Sequence, residues 1–131
     1  MKITQKKGID KKLDIAWSKL VKLRAGMKCE YCLAKNKQLH SHHLYSRSKK
    51  STRWLVDNGI CLCASHHVLN STFSAHKSPR EFNEWLDQYK GEDFMLMLRL
   101  KSNHIHKWHE FEKKLLLKEL NKQIDGYTIT D

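Results

Sequence analysis

Two thiol-bearing pairs in one short chain constrain its fold more than anything else in the sequence. Cys29-x-x-Cys32 places two sulfurs at the spacing of a tight turn that clamps one side of a tetrahedral metal ion. Cys63-x-x-His66 repeats that spacing further along. Together the four form a Cys3His set suited to a structural Zn2+. Such a staple fits a chain of 131 residues whose 40% hydrophobic content supports only a modest core. Cys61 and Cys63 are a rival second pair, because residues two apart on a strand share a face. Cys63 with His66 matches the first pair better, which leaves Cys61 as a buried free thiol. The N-terminus is lysine-rich rather than apolar, and no segment is long enough to span a membrane. A cytoplasmic protein is therefore expected, in which paired cysteines serve metals rather than disulfides.

The formal net charge of +11 points to a polyanionic partner, nucleic acid before any membrane surface. Nine lysines and arginines fall in residues 1–28, against only Asp10 and Asp14. A second cluster, Arg47, Lys49, Lys50 and Arg53, lies in a polar stretch. No basic amphipathic helix stands free of the core, so membrane binding is not expected. No organic cofactor is expected either, and a homodimer is left open.

The pattern along the chain gives one α+β domain over residues 1–131. Residues 1–28 read as a basic arm to residue 9 and a helix capped by Asp10, with Leu13, Ala16, Trp17, Leu20 and Val21 on one face and Gly26 as the stop. Residues 29–71 hold the knuckle, a strand over Leu39–Tyr45, a basic loop over 46–57 with Trp54 as core beneath it, a strand over Gly59–Leu62 and a short helix from Ala64 to Ser71. Residues 72–131 are helical. Ser78-Pro79-Arg80-Glu81 is a capping box with proline at the first helical position. That helix runs to Tyr89, a short one covers Phe94–Leu100, and Asn103 caps a long one to Ile124. On the last, Ile105, Trp108, Phe111, Leu115 and Leu120 face inward, with Gly126 after the end.

Histidines dominate the middle segment. His42 and His43 are adjacent on the first strand and so point to opposite faces; they cannot share a job. Asn58 opens the second strand, and His66-His67 begin the following helix. Hydrolysis of a phosphodiester needs a neutral imidazole to deprotonate water, a divalent cation to neutralise the phosphate and the departing oxygen, and a group that pins the basic histidine. His42 and His67 stand on fixed elements where they could hold that cation.

With these residues in view, residues 29–67 resemble the HNH (ββα-metal, or His-Me finger) endonucleases. The family pattern is a CxxC knuckle, a D/H-H pair on the first strand, an Asn, and a C-x-x-C-H or C-x-x-C-N ending. This chain reads Cys29-x-x-Cys32, His42-His43, Asn58 and Cys63-x-x-His66-His67, with His67 nine residues after Asn58 as in the family. The resemblance implies a zinc-stapled ββα-metal finger flanked by helices, and a DNA phosphodiester hydrolase. It implies His43 as general base, Asn58 as a structural catalytic residue, and His42 and His67 as ligands of the catalytic metal. Arg47, Lys49, Lys50 and Arg53, on the loop between the strands, are expected to hold flanking phosphates. Mn2+, Ni2+, Co2+, Zn2+ and Mg2+ are all candidate catalytic ions. Two departures stand out. His66 occupies a position that is usually Cys, and Ser71 stands where some members carry a further histidine. His76 is a weak candidate for that extra ligand.

Residues 29–122 also resemble the NinG (Rap) recombination endonucleases of lambdoid phages, through His43-Leu-Tyr-Ser-Arg47-Ser, Asn58-Gly-Ile60, Gly91-Glu92 and Asn103-His104. That likeness implies action on branched recombination intermediates; a generic phage or mobile-element HNH nuclease fits as well. The rival from another class is a zinc module that binds nucleic acid without cutting it.

Overall fold

The computed structural model describes residues 8–129, so most of the basic arm lies outside the described residues. Helix α1 spans Gly8–Arg24, strand β1 Leu39–His43 and strand β2 Gly59–Cys63, with one 3-10 turn, Val56–Asn58, just before β2. A π-helical turn, Ser65–Leu69, follows β2. Helices α2 (Pro79–Lys90), α3 (Glu92–Asn103) and α4 (Glu110–Ile129) complete a small α+β fold.

The apolar stripe of α1 forms as its spacing requires, with Leu13, Ala16, Trp17, Leu20 and Val21 all buried. The helix begins at Gly8, so Asp10 sits in its first turn rather than at its cap. Gly26, at φ 75°, closes the other end. Its N–H donates to the Leu23 carbonyl (3.0 Å) and the Met27 N–H donates to that of Lys22 (2.9 Å), the double bond of a Schellman ending.

β1 and β2 pair antiparallel, His42 opposite Ile60 and His43 opposite Gly59. All five residues of β2 are buried. Cys61 joins a core with Trp17, Leu20, Val21, Trp54, Leu120 and Ile124 on the α1/α4 side. Ile60 and Leu62 join Cys29, Cys63, Phe82 and Leu86 of the α2 side. The strand is thus the central layer, and its alternation sends a cysteine to one core and two aliphatics to the other. Gly59 is required by close approach. A Cβ there would lie 2.4 Å from Val21 Cγ2 and 2.7 Å from Trp17 Cζ2.

The C-terminal third differs from its expected layout. Residues 104–109 are not helical, and α4 starts at Glu110. The Glu112 carboxylate accepts the His109 backbone N–H at 2.9 Å, which fixes the start of the helix there. Ile105, expected to face inward, is 93% exposed, and Phe111 and Leu115 are exposed as well. Trp108 meets the core edge-on to Trp54, and Leu120 is buried. Asn103 ends α3 instead of capping the next helix, and Gly126 lies inside α4. Ser78 precedes Pro79 as expected, but its hydroxyl donates to the Ser71 carbonyl (2.9 Å) and makes no cap.

Candidate metal centres and cleft

The chain from Cys29 to Cys32 turns so that backbone amides face sulfur. Leu33 N–H donates to the Cys29 carbonyl (2.8 Å), and Cys32 N–H points to Cys29 Sγ (3.5 Å). Leu33 takes φ 65° to complete the turn. Cys63, the last residue of β2, and His66, in the π-helical turn, close the set. Cys29, Cys32, Cys63 and His66 sit close enough to bind a metal ion, their ligand atoms all within 4.8 Å of one another. Cys32 Sγ lies 3.9 Å from Cys63 Sγ, and His66 Nδ1 lies 3.2 Å from Cys63 Sγ and 3.9 Å from Cys29 Sγ. Tetrahedral zinc with ordinary Zn–S and Zn–N bonds places such atoms about 3.6–3.8 Å apart, so the residues present fit that ion. Burial opposes ionisation of Cys29, but amides of Cys32, Cys63 and Tyr31 outweigh it and hold the thiol below its usual range. Cys61 faces the other core, where burial and then Glu30 push its thiol up to about 12. It is a neutral core residue, not a ligand.

A second cluster gathers on the His42 face of β1. His42, His67 and His76 bring one nitrogen each within 4.8 Å of the others. His67 Nε2 is 3.1 Å from His42 Nδ1 and 3.1 Å from His76 Nε2. Contacts this short between three imidazole nitrogens suit ligation of one shared ion. Burial, then the neighbouring His67 and His76, drives His42 down to about 3; burial, then His76 and His40, drives His67 down to about 4. Both are neutral at pH 7, as ligation requires. His40 shares the His42 face of β1, two residues back, and its Nδ1 meets His67 Nδ1 at 2.8 Å. With His67 Nε2 turned to a metal, its Nδ1–H donates to His40, which fixes the ring.

His76 is the member of the cluster that spacing undervalued. Its place comes from a folded loop. The Asn70 side chain accepts the Thr72 and Phe73 amides at 2.8 and 3.0 Å. The Ser78 hydroxyl closes the loop onto Ser71, and the Ala75 and His76 N–H groups donate to the carbonyls of His66 and His67 at 2.9 and 3.1 Å. These last two bonds set His76 beside His67. His40 was missed altogether, although the alternation that placed His42 also placed it.

His43 points the opposite way, as alternation demands. Its ring stacks on Trp17, with centroids 3.8 Å apart and planes 10° apart. Trp17 reaches it because Gly59, opposite His43, leaves room. Trp17 is itself anchored through Nε1–H to the Leu55 carbonyl (2.7 Å). His43 Nε2 lies 2.9 Å from the Arg53 carbonyl. A carbonyl only accepts, so Nε2 carries the proton and Nδ1 keeps the lone pair. Burial lowers the His43 pKa against the opposing pull of that carbonyl and Asp14, which favours the neutral ring.

Asn58 is wholly buried and bonds Tyr45 twice: Oδ1 accepts the Tyr45 N–H (2.8 Å) and Nδ2–H donates to its carbonyl (3.0 Å). The Leu44 N–H donates to the Asn58 carbonyl (2.9 Å). These bonds hold the chain just beyond His43 and account for β1 ending before Tyr45. Of the four basic loop residues, Arg47, Lys49 and Lys50 are exposed. Arg53 instead grips Asp14 through Nε (3.1 Å) and Nη2 (2.8 Å), and its carbonyl holds His43. Its guanidinium serves the fold rather than a free surface. Asp14 also accepts from Trp54 Nε1 (2.8 Å) and Arg47 (3.0 Å). Burial alone would raise the Asp14 pKa, yet these donors and charges hold it below the usual 3.8.

No protein-family model, curated protein or solved structure matches the chain.

Proposed function

We propose that this chain is a divalent-metal-dependent DNA endonuclease of the HNH type, with the Cys29, Cys32, Cys63, His66 set as a structural zinc knuckle. The observation that carries the reading is the setting of His43. Its ring is stacked on Trp17 and tied through Nε2–H to a carbonyl that leaves Nδ1 basic, one residue along β1 from His42 of the imidazole cluster. A neutral, oriented imidazole beside a metal site is what deprotonation of a water nucleophile requires.

His42, His67 and His76 would hold a divalent cation, which would supply charge neutralisation for the scissile phosphate and the leaving 3′ oxygen. His43 takes the proton of the attacking water at Nδ1, Trp17 and the Arg53 carbonyl keep the ring in place, and Asn58 holds the strand end that carries it. Arg47, Lys49 and Lys50 position flanking phosphates. The products are 5′-phosphate and 3′-hydroxyl ends.

Plasmid nicking in Mn2+ or Ni2+ tests the reading. His43→Ala lowers the rate by roughly 10²–10⁴ while duplex binding persists, because affinity comes mainly from phosphate contacts. Equal cleavage by wild type and His43→Ala removes His43 from the mechanism. Binding with no cleavage by the wild type in any of these metals makes the protein a zinc-stapled binding module.

A further inference from the structure

Beyond the metal cleft, the same flank of the molecule carries a second concavity of different chemistry. A cleft of about 600 Å³ opens at His42 and runs between Leu44, Tyr45 and helix α3, where it is lined by Met95, Leu96 and Arg99. One helical turn further along α3 a smaller concavity of about 230 Å³ lies between Ser48–Lys50 and residues 102–106. Segment 44–50 and α3 therefore wall both, end to end. The first has Asp87 and Glu92 in its lining. The second has no carboxylate, but Lys49, Lys50, His104 and His106.

The two walls of the second concavity are fastened to each other. The Ser51 hydroxyl donates to the Lys101 carbonyl (2.7 Å), and Trp108 Nε1–H donates to that of Lys50 (2.9 Å). Segment 104–109 is therefore a presented loop with both feet held. His106 lies 3.9 Å from Glu112. At the tip of the loop stands Ile105, 93% exposed, among His104, His106 and Lys107. A β-branched aliphatic held out in water beside Lys107 and two imidazoles forgoes the stabilisation its burial would bring. It sits where phosphates would gather and offers them nothing.

We propose that this loop is a second DNA-contact site, in which Lys49, Lys50 and His104 hold backbone phosphates and Ile105 wedges against a base step. The inference rests on the nuclease reading above. From Met95 to Asn103 the α3 wall extends about 12 Å at the ordinary helical rise. That length corresponds to three or four base steps of a duplex, so Ile105 meets the strand a few steps from the phosphate at the His42 cluster. Apolar wedges flanked by basic residues unstack base steps and bend duplexes in this way. The enzyme would therefore favour DNA that is already kinked or locally unpaired, where the unstacking cost is least.

The test uses the full chain with its knuckle zinc, in a His43→Ala background so that DNA is bound and not cut. The probes are random-sequence duplexes with 2-aminopurine at successive positions, and a matched duplex carrying a two-base bulge. Binding of the parent protein raises 2-aminopurine fluorescence at one or two positions, and the bulged duplex binds more tightly. Ile105→Ala abolishes the fluorescence rise and weakens binding roughly tenfold, the size expected for withdrawing a buried aliphatic side chain, with the salt dependence unchanged. Lys50→Ala lowers the slope of log affinity against log salt by about one. If the parent binds duplex and Ile105→Ala matches it in affinity and fluorescence, the wedge is wrong and the nuclease reading stands. If the parent binds no duplex at low salt, both fall together.

Discussion

The two metal-capable clusters stand on opposite sides of His66-His67 and differ in how they are closed. In the knuckle, Cys29 and Cys63 are fully buried, Cys32 is exposed, and four ligand atoms lie within 4.8 Å of one another, enough to complete a tetrahedral shell. In the histidine cluster three imidazoles converge, two half-buried and one exposed, so one side stays open. A closed set with thiolates suits a structural ion, and an open set suits one that must also meet substrate. Adjacent residues of one short turn thus serve opposite ends. His66 joins the three sulfurs, and His67 joins His42 and His76 beside the cleft that His42 lines.

The comparison breaks most visibly at the knuckle. Cys29→Ser removes a ligand from a site whose metal supplies folding free energy, for which about 10–16 kcal/mol is the apparent scale. Loss of cooperative thermal unfolding and of bound zinc is expected for this variant, read by calorimetry and metal analysis. His67→Ala should leave both intact. If Cys29→Ser melts like the wild type and His67→Ala does not fold, the roles of the two clusters are reversed.

A smaller effect is expected at Gly59. A Cβ there would meet Trp17 and Val21 well inside contact distance, so Gly59→Ala forces α1 off the sheet at a cost of about 1–3 kcal/mol. Because Trp17 also stacks on His43, cleavage should fall more than stability alone explains. A variant that loses stability while keeping the full rate would separate the Trp17 stack from catalysis.

An effect of comparable size is expected at Asp14, which joins α1 to the basic loop. Its folded pKa lies below the ordinary 3.8. The stability it contributes is therefore present above that value and lost as pH falls through the folded value. Asp14→Asn should cost about 1–3 kcal/mol at neutral pH, and the gap from wild type should close below pH 3.8. A gap that stays constant down to acid pH would mean that the carboxylate charge contributes nothing.

How much of this was legible in the chain depended on whether a signal was local. The knuckle was, since Cys29-x-x-Cys32 and Cys63-x-x-His66 each encode half a site by spacing alone. Strand alternation separated His42 from His43, and Asn58 held the strand end as expected. His76 was legible only as a substitute ligand, because its position depends on a loop that folds back through Asn70 and Ser78 before it reaches His67. Arg53 looked like its basic neighbours, and only the distant Asp14 on α1 sets it apart. Ile105 fitted a helical stripe, but the Glu112 cap starts α4 after it and leaves it at a loop tip.

A metal series on protein that keeps its knuckle zinc tests the division of labour most directly. Chelator dialysis should strip the open histidine cluster and leave one zinc per chain, with plasmid cleavage abolished. Adding Mn2+, Ni2+ or Co2+ should restore cleavage above the level reached with Mg2+, because three imidazoles suit those ions better than one that prefers oxygen ligands. Full cleavage by the dialysed protein with a single zinc, or Mg2+ as the best activator, would contradict the assignment of His42, His67 and His76 to the catalytic metal.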